Sequence, residues 1–237
     1  MKKLVILSGA GLSAESGLST FRDNDGLWEK HRVEDICDIH TWRNNYDLVH
    51  RFYNQRRTQL GTVQPNAAHR QIAKWESAYP TILLTQNVDD LLERGGCKEV
   101  THLHGFLTEM QCKACGNDWP IGYTEWSDTD RCPRLRCRSR AGVKPNVVFF
   151  GESAPMYTRL FKTMESLQAG DVLLVIGTTG AVLPVDSMAR RAPCTTILNN
   201  LAPSEFIDGA NFDHVFHEPA TQAIGKINRL LKEAFEE

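Results

Sequence analysis

Short, continuously apolar runs recur along the chain and predict the strands of a parallel sheet. Such runs lack the alternation of a half-exposed strand, which is typical of strands covered by helices on both faces. Segments with this pattern are Leu4–Leu7, Thr81–Thr85, Val147–Phe150, Val172–Ile176 and Thr195–Leu198, with His214–Phe216 as a weaker sixth. Helical spacing of apolar residues fills the intervals at 66–79, 157–170 and 221–237. The alternation predicts an α/β fold with a doubly wound parallel sheet.

Two segments interrupt this alternation and predict a second, smaller lobe. Residues 28–60 contain polar helical stretches without a clear strand, and residues 106–145 are rich in Cys, Arg, Gly and Pro but poor in aliphatic side chains. The second segment cannot form a core from its own side chains, so it needs a covalent cross-link or a bound metal ion to stabilise it. We therefore expect a Rossmann-like main domain made of residues 1–27, 61–105 and 146–237, with the two segments inserted into it.

Composition and charge narrow the possible partners and the compartment. The 237 residues are 41% hydrophobic, and 27 basic against 29 acidic residues give a net charge of −2. This balance predicts neither a nucleic-acid nor a membrane surface. The first apolar run, Leu4–Leu7, is shorter than the roughly 7–15 residues of a signal-peptide core, so we expect a cytoplasmic protein.

Four of the seven cysteines predict a structural zinc site. Cys112 and Cys115 form one pair, Cys132 and Cys137 form a second, and 16 residues separate the pairs. Four thiolates complete a tetrahedral zinc site and leave no position for a reacting water, so the metal would be structural. A redox CxxC pair is the competing interpretation. Arginines between residues 131 and 140 also allow a nucleic-acid finger, although a solvated face is the simpler explanation.

Polar motifs follow two of the predicted strands. Gly9-Ala10-Gly11-Leu12-Ser13-Ala14 has the form G-x-G-x-x-A after the first strand, which is typical of a turn that holds a pyrophosphate. The alternative is a tight strand-to-helix connection. "QNVD" (86–89) follows the strand Thr81–Thr85, so its side chains fall at the edge of the sheet where ligands bind. Capping of a helix by Asn87 or Asp89 is the alternative there.

His104 is a candidate base, because an imidazole that titrates near neutrality can take a proton from a hydroxyl group. It lies in "HLHG" (102–105), where the glycine would permit close approach of a substrate. No catalytic role is assigned to His102.

The motifs together, with "GTTG" (177–180) and "NNL" (199–201), occur in the order found in sirtuins, which are NAD-dependent protein lysine deacylases. The resemblance runs from about Val5 to about Ala220 and is greatest to bacterial sirtuins related to the desuccinylase branch. It implies NAD as a consumed co-substrate, a zinc ribbon in the small lobe, and catalytic roles for His104, Asn87 and Asp89. The residues that it assigns to NAD binding are Gly9, Ala10, Gly11, Ser13, Glu15, Phe21, Arg22, Trp28, Gln86, Asn87, Asp89, Gly177, Thr178, Thr179, Asn200, Leu201 and Ala220.

The same resemblance implies a reaction sequence. The acyl oxygen of a modified lysine attacks C1′ of the ribose and releases nicotinamide. His104 then helps a ribose hydroxyl attack the resulting imidate, and water completes release of lysine and O-acyl-ADP-ribose.

"FYNQRR" (52–57) is similar to the acyl-pocket signature of sirtuins that remove succinyl and malonyl groups. Tyr53 and Arg56 share a face if this segment is helical, and an arginine there can clamp a carboxylate through two N–H groups. The alternative is a core tyrosine beside a solvent-facing Arg56, with Arg57 the more exposed arginine. Cys37 falls in the loop that would line this pocket. The segment expected to bind the peptide backbone by strand addition contains Val148, Phe149, Phe150 and Gly151.

The leading hypothesis is a deacylase acting on acetylated, and also succinylated or malonylated, lysines of proteins. An NAD hydrolase or ADP-ribosyltransferase would use the same bond cleavage with a different acceptor. A non-catalytic NAD-sensing or zinc-ribbon interaction module is a third hypothesis, against which the presence of Asn87, Asp89 and His104 argues.

Overall fold

The structure is a computed structural model that describes residues 2–18 and 32–236. The strands in these ranges are β1 (Leu4–Ser8), β2 (Thr81–Thr85), β3 (Val100–His102), β4 (Gly105–Cys112), β5 (Asn117–Pro120), β6 (Val143–Val147), β7 (Val172–Ile176), β8 (Thr195–Asn200) and β9 (His214–His217). The helices are α1 (Gly11–Ala14), α2 (Val33–Ile36), α3 (Tyr46–Thr62), α4 (Ala67–Ala78), α5 (Leu91–Arg94), α6 (Tyr157–Glu165), α7 (Val185–Arg191) and α8 (Ala220–Glu236), with a 3-10 turn at Gly209–Asn211.

Six strands form one parallel sheet in the order β3-β2-β1-β7-β8-β9. Leu4 of β1 lies opposite both Thr81 of β2 and Val172 of β7. The chain builds outward from β1 to β3, and later returns to β1 and builds outward in the other direction. The strand order therefore reverses between β1 and β7, which is the place where open α/β sheets bind their ligands.

Helices cover both faces of this sheet, which explains why its strands are apolar throughout. Leu4 and Ile6 face a core shared with α4 and α8, whereas Val5 and Leu7 face a core shared with α6 and α7. The period of two in a strand divides one short sequence between two cores. The predicted α/β architecture is confirmed.

The second sheet is antiparallel, has the order β5-β4-β6, and belongs to the cysteine-rich segment. Its small core contains Met110, Trp126 and Val143 beside the buried Cys112 and Cys132. Helix α3 has a separate core and is joined to this lobe because buried Arg57 donates to the Thr124 carbonyl oxygen at 3.0 Å.

Most predicted elements are confirmed, but the strand predicted at Val147–Phe150 is wrong. The strand there is β6, Val143–Val147, and it pairs with β4 outside the parallel sheet. The apolar side chains indicated burial correctly for Phe149, which packs in the α3 core, but the main chain of 148–151 is not part of a ladder. The predicted helix 157–170 ends earlier, at Glu165. Strands β3, β4 and β5 were not predicted from the sequence.

Among residues 2–18 and 32–236, none of the helices combines the length and apolar character that crossing a bilayer requires.

Candidate active site and metal centre

Two glycine loops interlock where the strand order reverses. Gly9 and Gly11 follow β1, Gly177 follows β7, and the Gly11 N–H donates to the Gly177 carbonyl oxygen at 2.8 Å. A Cβ at Gly9 would lie 2.7 Å from that oxygen, and Gly177 has φ of +66°, where side chains are strained. The glycines predicted for close approach to a phosphate are therefore also required for the close approach of the two loops.

Gln86 connects the end of β2 to the second glycine loop. Its backbone N–H donates to Ser8, the last residue of β1, and its side-chain Nε2 donates to Thr178 Oγ1 at 2.9 Å. Thr178 is buried, and the carbonyl of Thr179 accepts a hydrogen bond from the Ser204 hydroxyl at 2.6 Å. The structure thus brings two motifs 92 residues apart into contact.

Ser13, Asn87 and Asp89 form a hydrogen-bonded group at the same edge. Asn87 Nδ2 donates to Ser13 Oγ at 3.0 Å, and the Ser13 hydroxyl donates to the Asp89 carboxylate. Burial raises the pKa of Asp89, against which the Ser13 bond and the Leu91 N–H act. Asp89 Oδ1 accepts a hydrogen bond from the Leu91 N–H at 3.1 Å, so Asp89 also pairs a backbone N–H in the first turn of α5.

Asn87 leaves one acceptor available for a ligand. Its Oδ1 is buried and has no hydrogen-bond partner among the described residues. Since an unpaired buried carbonyl is costly, this oxygen suits a group that arrives with a hydroxyl or amide hydrogen. The residues present therefore fit a ribose or a carboxamide, both of which NAD carries.

His69, on α4, contacts the Ser13 side chain. The Asn66 N–H donates to His69 Nδ1, so the ring hydrogen lies on Nε2, which faces Ser13 Oγ at 3.4 Å. Burial lowers the pKa of His69 to about 4, so it is neutral at pH 7.

His102 and His104 lie two residues apart in opposite electrostatic surroundings. His102 donates to the Asn87 carbonyl oxygen at 2.8 Å and to Glu93 at 2.7 Å, and although burial opposes its charge, Glu93 raises its pKa. For His104, burial lowers the pKa and is only partly opposed by a bond to the Gln86 carbonyl oxygen. His102 is thus suited to an ion pair, and His104 is suited to act as a neutral base.

The tautomer of neutral His104 is fixed by its surroundings. A carbonyl oxygen only accepts, so Nδ1, 3.0 Å from the Gln86 carbonyl oxygen, must carry the hydrogen. Nε2 then presents a lone pair, and its partner is the Tyr157 hydroxyl at 2.8 Å. Gly105 follows His104 with φ of +86°, and a Cβ there would overlap the Asn146 carbonyl oxygen. This glycine therefore permits the packing of β4 on β6.

The remaining predicted NAD residues lie at the far end of the same sheet edge or outside the described ranges. Asn200 ends β8 and is buried, whereas Leu201 is 74% exposed. Ala220 begins α8, and the Glu15 carboxylate accepts hydrogen bonds from both the backbone and the hydroxyl of Thr221 in that helix. Phe21, Arg22 and Trp28 lie outside the described residues.

Tyr53 and Arg56 lie on α3, as predicted, but the exposure of the neighbouring arginines is the reverse of the expectation. Arg57 is 0% exposed, whereas Arg56 is half-buried and donates to Gln59 at 3.0 Å. The reason is that Arg57 lies on the side of α3 that packs against the small lobe. Arg56 is left on a different side, near Tyr53, whose pKa its charge acts to lower.

The Tyr53 phenol is a neutral hydrogen-bonding group beside the predicted substrate segment. Its ring stacks on Phe149 with centroids 5.8 Å apart, and its hydroxyl is hydrogen-bonded to Cys37. Burial raises the pKa of Tyr53 well above its ordinary value and also raises the pKa of the Cys37 thiol. Both groups therefore stay protonated at pH 7.

The predicted substrate segment, 148–151, is held by its own main chain. The Val148 N–H donates to the His104 carbonyl oxygen at 2.8 Å, and the Phe150 N–H donates to Cys37 at 2.9 Å. The Phe150 carbonyl oxygen accepts from Ile39 at 3.0 Å. The N–H and the C=O of Phe150 are therefore both already hydrogen-bonded. The segment offers fewer free backbone groups for strand addition than the sequence predicted.

A buried ion pair fixes the shape of this segment. Lys144 is 1% exposed, and its Nζ lies 3.0 Å from Glu152 and 2.6 Å from the Val147 carbonyl oxygen. Glu152 also accepts from the Phe149 N–H at 2.9 Å and from Lys113 at 2.9 Å. Burial lowers the pKa of Lys144; it opposes ionisation of Glu152 too, but the lysine charge keeps the pKa of that carboxyl low.

The four paired cysteines converge as predicted. All four Sγ atoms lie within 4.8 Å of one another, with Cys112 and Cys137 3.6 Å apart and Cys115 and Cys132 3.7 Å apart. Zn–S bonds of about 2.3 Å in a tetrahedron require sulfur atoms about 3.8 Å apart. The cluster is therefore compatible with one structural zinc ion.

Three residues at the site were missed from the sequence. Tyr157 is the first residue of a helical pattern, and that pattern does not indicate its contact with His104. Lys144 and Glu152 flank the "NVVFFG" segment, and charges at both ends of a buried run could have indicated an ion pair.

Comparisons with known proteins agree with this geometry. The Sir2 family profile matches residues 9–184. A protein of Helicobacter hepaticus named NAD-dependent protein deacylase is 42% identical, over 99% of each chain. A solved Sir2 homolog–NAD complex superposes with a TM-score of 0.85 at 31% identity, covering 98% of this chain and 90% of the other. A Sir2 protein solved with a deacetylated peptide and 3′-O-acetyl ADP-ribose has a TM-score of 0.79 at 25% identity, covering 96% and 92%.

We expect metal analysis to find one zinc per chain, and chelation to unfold the small lobe, because its core is too small to fold alone. Emission from Trp126, which packs in that core, should shift on chelation. Cys132→Ser should lose the zinc, whereas Cys194→Ser, at a cysteine outside the cluster, should keep it. A full zinc content in Cys132→Ser would contradict a four-thiolate site.

Lys144→Met should destabilise the protein by about 3 kcal/mol, because it leaves the buried Glu152 without its main partner. Lys113→Met, which removes the more exposed partner of the same carboxylate, should cost about 1 kcal/mol or less. Denaturant unfolding of the zinc-loaded variants measures both. Equal losses would mean that burial of Lys144 does not determine the strength of the pair.

Proposed function

Because this chain belongs to the Sir2 family, we propose that it is an NAD-dependent protein deacylase that removes acetyl, and also succinyl or malonyl, groups from lysine side chains. The observation that carries the proposal is the protonation state of His104, near the place where the strand order of the sheet reverses. The ring is neutral, its Nδ1–H is fixed on Gln86, and Nε2 is the atom left to take a proton. The name of the Helicobacter relative supports the same activity.

NAD would supply the reactive bond between nicotinamide and ribose, and the protein would position and polarise the groups around that bond. The interlocked loops at Gly9, Gly11 and Gly177 form the edge against which the dinucleotide would lie. Asn87 would accept a hydrogen bond through its unpaired Oδ1 and so orient the ribose or the carboxamide. The Asp89 carboxylate would stabilise positive charge that develops on the sugar when nicotinamide departs.

His104 would act after that departure. Its Nε2 would take the proton of a ribose hydroxyl as this oxygen attacks the acyl carbon, and the charged ring would then be stabilised by the Gln86 carbonyl oxygen. Since burial holds the pKa of His104 below 6.5, the base is already in its neutral form at pH 7. The products are deacylated lysine and O-acyl-ADP-ribose.

Acyl selectivity would depend on α3. The protonated Tyr53 hydroxyl can donate to an acyl carboxylate, and Arg56 can offer two parallel N–H groups. An acetyl group carries no charge and makes no use of either bond. The same pocket can therefore accept both classes of acyl group, with Arg56 contributing only to the acidic ones.

We expect nicotinamide release to require an acylated peptide, since the acyl oxygen displaces it. Release would be measured with acetyl-lysine, succinyl-lysine and unmodified peptides of one sequence. His104→Ala should lower formation of deacylated peptide by about 100-fold or more, the usual contribution of a positioned base. His217→Ala, at an exposed histidine, serves as the control.

Two outcomes would oppose this function. Equal nicotinamide release without an acylated peptide would indicate an NAD hydrolase or an ADP-ribosyltransferase. Absence of release under all conditions would favour a non-catalytic module.

Arg56→Met should reduce kcat/KM for a succinyl-lysine peptide by about 30-fold or more, because two charge-assisted hydrogen bonds are lost. The value for the acetyl-lysine peptide should change by less than about threefold. Arg51→Met, at an exposed arginine on the same helix, should leave both values unchanged. A parallel fall in both activities of Arg56→Met would mean that Arg56 supports the fold and does not bind the acyl carboxylate.

A further inference from the structure

The lone pair of His104 that the proposed reaction needs already has a hydrogen-bond partner. The Tyr157 hydroxyl lies 2.8 Å from Nε2 of His104, a strong geometry for an O–H···N bond. Since Nδ1 carries the ring hydrogen, the phenol must be the donor in the neutral pair. The two rings are tilted by 53° with centroids 5.8 Å apart, so the contact is made through the hydroxyl and not by stacking.

One lone pair accepts one strong hydrogen bond. A neutral imidazole has a single lone pair, in the plane of the ring, and here it points to Tyr157. A ribose hydroxyl that is to lose its proton to Nε2 must occupy the same position. The phenol and the substrate hydroxyl therefore exclude each other at His104.

We propose that Tyr157 is a positioning residue that caps the base: its hydroxyl holds Nε2 of His104 in the unliganded enzyme and must leave when the ribose hydroxyl binds. The inference rests on the proposed role of His104. While it is in place, the phenol keeps the ring in one orientation and one tautomer and prevents Nε2 from binding other donors.

The surroundings of Tyr157 suit a group that can change its partner. It is the first residue of α6 and is half-buried, with its ring edge-on to the exposed Phe161 at 6.2 Å. His104 is the hydrogen-bond partner that the described residues provide for its hydroxyl. Burial raises its pKa, so the phenol stays a donor throughout the neutral range.

The cap has a cost that a substitution should remove. When the phenol leaves, a half-buried hydroxyl loses its partner, whereas phenylalanine leaves no polar group behind. Tyr157→Phe should therefore bind ADP-ribose about twofold to tenfold more tightly than the wild type, as measured by calorimetry on the zinc-loaded enzyme. Tyr79→Phe, at a tyrosine on the end of α4 that stacks on Phe235, should bind as the wild type does.

A double-substitution cycle tests whether the gain acts through the base. In a His104→Ala background, Tyr157→Phe should give no gain, because there is no lone pair for which to compete. The same gain in that background would mean that the ring merely occupies space, and would overturn the cap. Weaker binding by Tyr157→Phe in the native background would also overturn it, since the phenol would then contact the ligand.

A second measurement separates failure of the cap from failure of the proposed function. An NMR titration of His104 in the unliganded enzyme should show a higher pKa in Tyr157→Phe than in the wild type, because the donor that stabilises the neutral ring is lost. This readout needs neither nucleotide nor activity. An unchanged His104 pKa would overturn the cap even in an active enzyme, whereas a raised pKa in an inactive protein would retain the contact and reject the function.

Discussion

The close packing of two glycine loops is the constraint on which the site depends. Gly9 and Gly11 follow β1, the first strand of one half of the sheet, Gly177 follows β7, the first strand of the other half, and no side chain fits between them. The parallel register of the sheet places the carboxyl ends of β1, β2 and β7 in one line. Gln86 can reach Thr178 only because those ends are adjacent. A larger residue at any of the three positions would separate the loops and disperse groups that come from distant parts of the chain.

His102 and His104 are only two residues apart, but their electrostatic surroundings shift their pKa values in opposite directions. His102 has a carboxylate and a carbonyl oxygen as partners, and although burial opposes its charge, Glu93 raises its pKa next to the group that contains Asp89. His104 has one carbonyl oxygen and a phenol, so it stays neutral and keeps its lone pair. A step of two residues moves the ring from the end of β3 into a turn, and this is sufficient to reverse the direction of the pKa shift.

How much could be predicted depended on whether a feature is local. The cysteine spacing predicted a cluster because four thiolates near one another satisfy a single ion, whatever the fold around them. The strand at Val147–Phe150 was wrong because apolar side chains report burial and not the pairing of the main chain. The exposures of Arg56 and Arg57 were reversed because consecutive helical residues point about 100° apart, and the sequence does not show which side the small lobe covers.

The segment from β6 to α6 connects the parts of the site, because it contacts His104, the proposed base, at two points. Val148 binds the backbone of His104, and Tyr157, nine positions later, binds its ring. Between them Glu152 pairs with Lys144 of β6 and fixes the loop, and Phe149 packs on Tyr53 of the proposed acyl pocket. In the proposed reaction, a peptide bound against this segment would therefore contact residues proposed to hold both the acyl group and the base. The proposed dependence of the reaction on an acylated lysine thus has a physical route through one continuous stretch of chain.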